Sequence, residues 1–521
     1  MFINSKTIKF ILFFILILSV FFRFWQIESF PPGLYPDEAM NANDALESLQ
    51  NNDFKLFYPY NNGREGLFMW FISASFYFFG VSLWSLKLPS AIIGTLTVLG
   101  IYLLAKELFI KKKDSTMIAL LSSFFLAVSF WHTNFSRISF RAIIVPFSLV
   151  FSFYFLLKSF REKKIKDSIF SGIFFGIGFY SYPGFRLAVI LLFLIFFFFW
   201  RKHKKENSEQ SFFKLSIVNL LSIFLTALPI GIYFLKNPQD FLGRNSQVSI
   251  FSQSNILGEF FQSLILHLGM FNFWGDGNWR HNLPRSPQLL WIVGIFFLIG
   301  LFLIIKKIIK NIQLKKILIP EYILMAWFMV MLLPGVLTSE GCPHALRVIG
   351  TIPVVYILSG LGAVFLYRKL YSKVNNKNVL KVCSLIVLLS ITISQYDKYF
   401  VKWSLSPETE IGFSSYYVDI GNYLNSLPNS IEKIVIVNFS NTPKPWPKDL
   451  PVSAQTTMFI ENTENKQSLY LLPENINKII IKKETVIIPI NKIDEEIFQN
   501  LKNMFPNGEI INQNNILIFK I

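Results

Sequence analysis

The sequence predicts a polytopic α-helical membrane protein of about 11 spans, followed by a small C-terminal α/β domain. Of its 521 residues, 52% are hydrophobic and only 16% are charged, and the mean hydropathy is +0.45. The apolar residues form long runs separated by short basic clusters, a pattern typical of membrane spans and their loops. It excludes a soluble enzyme, a fibrous protein and a disordered chain. The net charge of +18 comes mainly from Lys and Arg near span ends, so it indicates membrane topology and not nucleic-acid binding.

The first predicted span covers residues 8–27, has Lys6 and Lys9 at its start and has no small-residue cleavage site after it. We therefore expect it to be retained, with its N-terminus in the cytoplasm. The other ten predicted spans are 88–108, 117–135, 142–157, 168–182, 187–200, 215–235, 288–305, 322–337, 348–367 and 379–394.

Charge decides the one ambiguous apolar segment, residues 66–80. Five basic clusters, near 111–113, 161–166, 201–205, 306–316 and 368–381, should all lie in the cytoplasm under the positive-inside rule. A span at 66–80 would invert every one of them. We therefore expect an interfacial helix in this first external loop. An odd span count places the chain after residue 395 outside.

The C-terminal part, residues 396–521, is predicted to form an extracytoplasmic α/β domain, separate from a transmembrane domain of residues 1–395. Ser414 precedes apolar residues at helical spacing, and a second helix is expected at 494–504. A Pro-rich loop is expected at 443–451. The predicted strands are 433–439, 479–482, 486–490 and 516–519.

Candidate catalytic acids lie in the first external loop, residues 28–87. Pro36 is followed by Ala and Leu at helical spacing, so it should begin a helix with Asp37 and Glu38 in its first turn. The acids could simply complement the helix dipole. Alternatively, one of them is a general base for a hydroxyl acceptor. Asp37 is the stronger candidate, because it should share a polar helix face with Asn41 and Asp44, turned towards a wet cleft.

Arginines stand at external span ends, where positive charge is disfavoured. Arg137 and Arg141 are four residues apart and would share one face of a helical turn, where they could hold a phosphate. Arg186 and Arg347 are further candidates for the same role. Alternatively, such arginines only reach towards lipid phosphates. A second external loop, 236–287, is the other long region in which function is expected.

Several motifs resemble polyprenyl-phosphate-dependent glycosyltransferases, specifically the dolichyl-phosphate-mannose protein mannosyltransferases and lipid A aminoarabinose transferases of glycosyltransferase family 39. The similarity covers about residues 1–370. It rests on Tyr-Pro-Asp-Glu-Ala at 35–39, Glu-Gly-Leu-Phe at 65–68, Phe-Ser-Arg at 135–137, Tyr-Ser-Tyr at 180–182, Gly-Asp-Gly-Asn-Trp-Arg-His-Asn-Leu-Pro at 275–284 and Pro-His-Ala-Leu-Arg at 343–347.

The resemblance implies the C-type glycosyltransferase membrane fold, interfacial helices in the first loop and Asp37 as catalytic base beside Glu38. In the similar motifs and their neighbours we assign a group of residues to substrate binding: Arg64, Glu65, Tyr182, Asp276, Arg280, His281 and His344. No cofactor is certain. A divalent metal is possible, but its ligands are unknown.

These observations predict an inverting transfer of a sugar from a polyprenyl-phosphate donor to a hydroxyl of a protein, lipid or glycan acceptor at the external face. Expected partners are the donor, a protein or glycolipid acceptor and membrane lipid, without nucleic acid. One alternative is a non-enzymatic transporter or flippase, which would need charged residues or helix breaks within several spans. Another is a glycan polymerase or ligase, which would not share the Pro-Asp-Glu loop.

Overall fold

The computed structural model describes residues 4–313, 319–438, 450–464, 466–491 and 494–521, which form two compact units. Unit 1 comprises Met1–Ile27 and Ser90–Trp403, and unit 2 comprises Glu28–Pro89 and Ser404–Ile521. This division differs from the expected one at residue 395. The C-terminal boundary lies at Trp403, and the first external loop groups with the C-terminal part of the chain.

The helices, in chain order, are α1 (Ser5–Phe24), α2 (Pro36–Asn51), α3 (Leu67–Phe79), α4 (Leu83–Leu108), α5 (Ser115–Val128), α6 (Phe130–Arg137), α7 (Ile144–Glu162), α8 (Ile165–Gly178), α9 (Ala188–Lys205), α10 (Glu209–Lys236), α11 (Pro238–Val248), α12 (Ile256–Gly269), α13 (Trp291–Gln313), α14 (Ile319–Val336), α15 (Ile352–Lys373), α16 (Lys377–Tyr396), α17 (Pro407–Gly412), α18 (Ser415–Ser426), α19 (Ala454–Asn462) and α20 (Glu495–Met504). The strands are β1 (Phe57–Tyr58), β2 (Arg64–Glu65), β3 (Glu432–Ile436), β4 (Leu469–Leu471), β5 (Thr485–Pro489), β6 (Glu509–Gln513) and β7 (Ile516–Lys520).

Helices stand at all 11 predicted span positions. Among the described residues, nine helices are long and apolar enough to cross a membrane, and the pair α5 and α6, bent by 57°, makes a tenth. The eleventh predicted span corresponds to α8, which has only 14 residues. It rises about 21 Å, less than the ~30 Å hydrocarbon core. The chain is a multi-span membrane protein, and its predicted orientation stays a prediction.

The break between α5 and α6 is stabilised by a buried arginine from α1. The last carbonyls of a helix lack intrahelical partners, so they need donors from elsewhere. Arg23 donates to the carbonyl oxygens of Leu126 at 3.3 Å and Ala127 at 2.9 Å. Its second guanidinium nitrogen lies 2.8 Å from Nδ1 of His132. Ser129 caps the new helix by accepting the backbone N–H of His132.

The ambiguous segment 66–80 forms α3, a 13-residue helix that lies between Gly66 and Gly80. At about 20 Å it is too short to cross a bilayer, which agrees with the expected interfacial helix. Residues 236–287, predicted to be the second long external loop, contain α11 and α12. Residues 315 and 316 of the fourth basic cluster lie outside the described residues.

The C-terminal residues of unit 2 form a five-stranded sheet in the order β4-β3-β5-β7-β6. The strand β3 pairs in parallel with β4 and β5, and β7 pairs antiparallel with β5 and β6. Val435 and Ile488 point to a core shared with Leu424 of α18. Ile436 and Leu501 belong to a second core that packs α20 on the opposite face. The expected α/β architecture is confirmed.

Individual elements of this sheet differ from the expectation. The strand expected at 479–482 is absent, and Ile479 instead packs with Ile476 into the core beside α20. The strands β4 and β6 and the helix α19 were not expected. The strand expected at 433–439 is β3, and residue 439 lies outside the described residues, as do residues 443–449 of the Pro-rich loop.

Candidate functional site

The acid pair occupies the first turn of α2, as predicted. Pro36 is the first helical residue, where its missing N–H costs no hydrogen bond. The two acids point to different surroundings. Asp37 is half-buried, and its Oδ1 accepts a 2.7 Å hydrogen bond from Asn61 Nδ2. Glu38 is only 1% exposed. Asp37 is therefore the more accessible acid, which supports its predicted role without testing it.

The polar face of α2 is covered and does not open to water as expected. Arg64, on the β1–β2 hairpin, donates to Oδ1 of Asn41 at 2.8 Å and forms an ion pair with Asp44. All three residues are buried. Burial raises the pKa of the Asp44 carboxyl, although Arg64 opposes the shift. Arg64 therefore links the β1–β2 hairpin to α2 through Asn41 and Asp44. The assignment of Arg64 to substrate binding stays a prediction.

The neighbouring Glu65 is buried in the same hairpin. The chain turns there into α3 through Gly66, whose N–H donates to the carbonyl of Leu56 at 2.8 Å. A Cβ atom at this position would stand 2.0 Å from the carbonyl oxygen of Lys55, so only glycine fits. The close approach of the Lys55 carbonyl therefore explains why glycine follows Glu65.

Residues from the C-terminal part of the chain hold α2 within unit 2. Thr456 of α19 donates to the carbonyl of Leu34, just before α2, at 3.0 Å. Asn43 of α2 donates to both the side-chain and the backbone oxygen of Gln455, at 2.9 and 3.0 Å. Gly33 has a φ of +78°, and a Cβ there would stand 2.6 Å from the carbonyl oxygen of Phe413. The sequence did not indicate this role for the C-terminal residues.

An open cavity of about 320 Å³ lies beside α2 in unit 2. It combines carboxylates with tyrosines, a chemistry that suits a hydroxyl-rich or cationic ligand. Its lining residues are Asp44, Glu47, Ser48, Asp53, Lys55, Tyr58, Pro59 and Tyr60.

Arg137 does not have the surroundings predicted for a phosphate ligand. It is fully buried and donates to the carbonyls of Phe22 at 3.1 Å, Trp25 at 2.7 Å and Gln26 at 2.9 Å. Helix α6 ends at Arg137, and the extended Ile138 follows it. Arg137 and Arg141 therefore do not share a continuous helical turn, which corrects the predicted geometry. Arg137 supplies the donors that the carbonyls at the end of α1 need, and its phosphate-binding role stays a prediction.

Two other predicted residues of unit 1 do meet. The guanidinium of Arg141 lies 5.9 Å from the centre of the Tyr182 ring, and both residues are half-buried.

Arg186 contacts a different aromatic residue, Phe241. It donates to the carbonyl of Phe241 at 2.5 Å and stacks over that ring at 4.1 Å. This arrangement is that of an aromatic anchor, so a phosphate-binding role for Arg186 has no geometric support.

Arg347 and Arg280 lie in two loops of unit 1. Arg347 is buried and donates to the backbone oxygen of Glu340 at 2.6 Å and to its carboxylate at 2.9 Å. Glu340 is 58% exposed at its side chain, so an anionic ligand could displace it. Arg280 is half-buried, and its Nε donates to Asn278 at 3.2 Å.

Asp276, His281 and His344 converge, although they are far apart in the sequence. Oδ2 of Asp276 lies 2.9 Å from Nδ1 of His281 and 3.9 Å from Nδ1 of His344. The same oxygen accepts the N–H of Ala345 at 2.8 Å. His267 of α12 accepts the N–H of His344, and burial lowers the pKa of His267 to about 4, which keeps it neutral. The structure thus joins residues predicted separately.

Comparison of the sequence with protein families gives one match. Residues 67–230 match the model of the dolichyl-phosphate-mannose-protein mannosyltransferase family. This stretch includes Arg137, Arg141, Tyr182 and Arg186, and it leaves out α2 and the Asp-His-His cluster. No curated protein sequence matches the chain significantly.

Solved structures with the same fold are glycosyltransferases. ArnT from Cupriavidus metallidurans bound to undecaprenyl phosphate is similar over 99% of this chain and 98% of its own, with 12% identity and a TM-score of 0.57. The oligosaccharyltransferase AglB from Archaeoglobus fulgidus, in complex with an inhibitory peptide and a dolichol-phosphate, is similar over 94% and 70%, with 14% identity and a TM-score of 0.51.

These matches establish the C-type glycosyltransferase fold and confirm the resemblance that the motifs indicated.

Proposed function

We propose that this chain, which has the C-type glycosyltransferase fold, transfers a sugar from a polyprenyl-phosphate donor to a hydroxyl acceptor at the external face of the membrane. The observation that carries the proposal is the start of α2, where Asp37 is half-buried and oriented by Asn61. A carboxylate has about four acceptor positions, and Asn61 occupies one of them. Capacity remains to accept a proton from an attacking hydroxyl.

In the proposed reaction, an acceptor oxygen attacks the anomeric carbon while Asp37 removes its proton. The bond between that carbon and the phosphate oxygen breaks, and the configuration inverts. The leaving group is a polyprenyl phosphate, in keeping with the undecaprenyl phosphate and dolichol-phosphate bound to the similar structures. Developing charge on the phosphate calls for fixed cations. Within unit 1, the half-buried Arg141 and Arg280 are more accessible to an anion than the buried Arg137.

The acceptor has a candidate position in the cavity beside α2. Tyrosine rings and carboxylates suit the apolar face and hydroxyl groups of a sugar, or a polar peptide segment. Asp44 is paired with Arg64 and Asp53 with Lys55, so the Glu47 carboxylate gives the cavity its net negative charge, which favours a neutral or cationic acceptor over an anionic one.

The direct test supplies purified protein with a panel of polyprenyl-phosphate sugars and a mixture of glycoprotein and glycolipid acceptors. Released polyprenyl phosphate is measured by mass spectrometry, so the sugar need not be known beforehand. Donor consumption with a glycosylated product supports the enzyme. Movement of intact donor across a vesicle bilayer, without release of polyprenyl phosphate, would support the transporter alternative. The anomeric configuration of the product tests inversion separately.

A further inference from the structure

The chain contains only five histidines in 521 residues, yet two of them meet at one buried carboxylate in unit 1. The rings of His281 and His344 have their centres 4.8 Å apart. Both Nδ1 atoms face Oδ2 of Asp276. Imidazole nitrogens and a carboxylate oxygen are the ligands preferred by zinc and neighbouring divalent transition metals.

We propose that Asp276, His281 and His344 form a binding site for one divalent transition-metal ion of the zinc class. A tetrahedral zinc ion places its nitrogen and oxygen ligands roughly 3.4 Å apart. The observed distances of 2.9 and 3.9 Å from Oδ2 bracket that value. All three ligand atoms lie within 4.8 Å of one another, so small ring rotations bring them to a common centre.

The surroundings hold the ligands as an outer shell does in established metal sites. Oδ1 of Asp276 accepts the N–H of Asn278 at 2.8 Å, which fixes the carboxylate plane. His267 accepts the backbone N–H of His344 at 3.1 Å. Asn282 donates to the carbonyl of Ser286 at 2.6 Å and closes the loop that carries Asp276 and His281.

A simple hydrogen-bonded triad is the competing explanation. In that case Asp276 would accept from His281 and Ala345, and its role would end with loop packing. The two explanations differ in what they require of His344. Its Nδ1 lies 3.9 Å from Oδ2, too far for a hydrogen bond, whereas a metal ion between the two atoms bridges that distance.

Three protein ligands leave one tetrahedral position for water or another oxygen ligand. The metal would also pin the loop at 275–286 to the one at 343–347, and these loops carry Arg280 and Arg347. Metal binding by itself does not depend on sugar transfer, because the site consists of this chain's own side chains.

The test uses the full chain purified in detergent, treated with a chelator and then titrated with zinc chloride alone. Isothermal titration and elemental analysis after desalting should both give one tightly bound zinc per chain. His281→Ala and His344→Ala should each weaken binding by about 100-fold or more, because each removes a ligand. His203→Ala, which removes a histidine outside the cluster, should bind zinc like the unmodified chain.

Asp276→Asn guards against loss through misfolding, since it keeps the size of the side chain and its amide oxygen can still accept the N–H of either Asn278 or Ala345. It should remain monodisperse and bind zinc weakly.

Cobalt(II) provides a second readout, because a tetrahedral site gives an intense visible spectrum that the His344→Ala variant should lose. A zinc stoichiometry near zero in the unmodified chain would overturn the proposal. Equal affinity in the unmodified chain, His281→Ala and His344→Ala would overturn it as well.

Discussion

The start of α2 carries Asp37, predicted as the catalytic base, and the end of α6 carries Arg137, predicted to bind the donor phosphate, and the two side chains have opposite surroundings. Asp37 is half-buried and receives one hydrogen bond from a side chain. Arg137 is fully buried and donates to three backbone carbonyls. Asp37 can therefore contact a substrate without losing backbone hydrogen bonds. Arg137 would have to break its hydrogen bonds to the end of α1 to do the same.

The difference shows that the type of helix end decides whether a nearby charged side chain is used by the backbone or stays available to a ligand. An arginine near a helix C-terminus donates to carbonyls that have no other partner, so its N–H groups are occupied within the fold. Arg23 and Arg137 do this reciprocally: Arg23 on α1 binds the end of α5, and Arg137 on α6 binds the end of α1. An acid in a first turn already complements the helix dipole and keeps acceptor capacity.

The largest expected effect is on stability, from Arg137→Gln. This change removes three charge-assisted hydrogen bonds and leaves buried carbonyls unpaired, so it should cost more than about 4 kcal/mol. We expect little folded protein by fluorescence-detected size-exclusion chromatography. The half-exposed Arg186→Gln is the matched control and should fold normally. A stable Arg137→Gln protein with weakened donor binding would instead restore the phosphate-binding role.

A smaller loss of stability is expected from breaking the ion pair between Arg64 and Asp44 of α2. Arg64→Gln breaks a buried ion pair and should lower the unfolding free energy by about 3 kcal/mol. The double variant Arg64→Gln/Asp44→Asn should lose less than the sum of the single variants, since neither charge is then left alone. Thermal unfolding in detergent measures all three. Strict additivity would show that Arg64 and Asp44 are not energetically coupled and would contradict a stabilising ion pair between them.

The smallest effect is expected where α19 holds the residue before α2. Thr456→Val removes one hydrogen bond to Leu34, worth about 1 kcal/mol, and should slow sugar transfer by up to about fivefold. Thr463→Val is the control, because the Thr463 hydroxyl donates to the Ile460 carbonyl, within its own segment. If both variants transfer sugar at the same rate, the contact does not position the catalytic helix.

Local sequence patterns predicted the helices well because apolar length and proline position act within one segment. Residues 66–80 and the helix that begins at Pro36 are examples. The pairing of Arg64 with Asp44, the convergence of His281 with His344 and the packing of α19 against α2 depend on contacts far apart in sequence. The strand expected at 479–482 failed for the same reason, since Ile479 packs against residues of α20 that lie further along the chain.

The most direct test of the central claim compares Asp37→Asn with Glu38→Gln in the transfer assay. Asp37→Asn retains an oxygen for the Asn61 hydrogen bond and removes the basicity, so folding should be unchanged. We expect it to slow transfer by about 100-fold to 10,000-fold, the usual loss for a general base. Glu38→Gln, at a buried position, should keep most of the activity once folded protein is normalised. An active Asp37→Asn enzyme, with or without loss in Glu38→Gln, would contradict the assignment of Asp37 as the base.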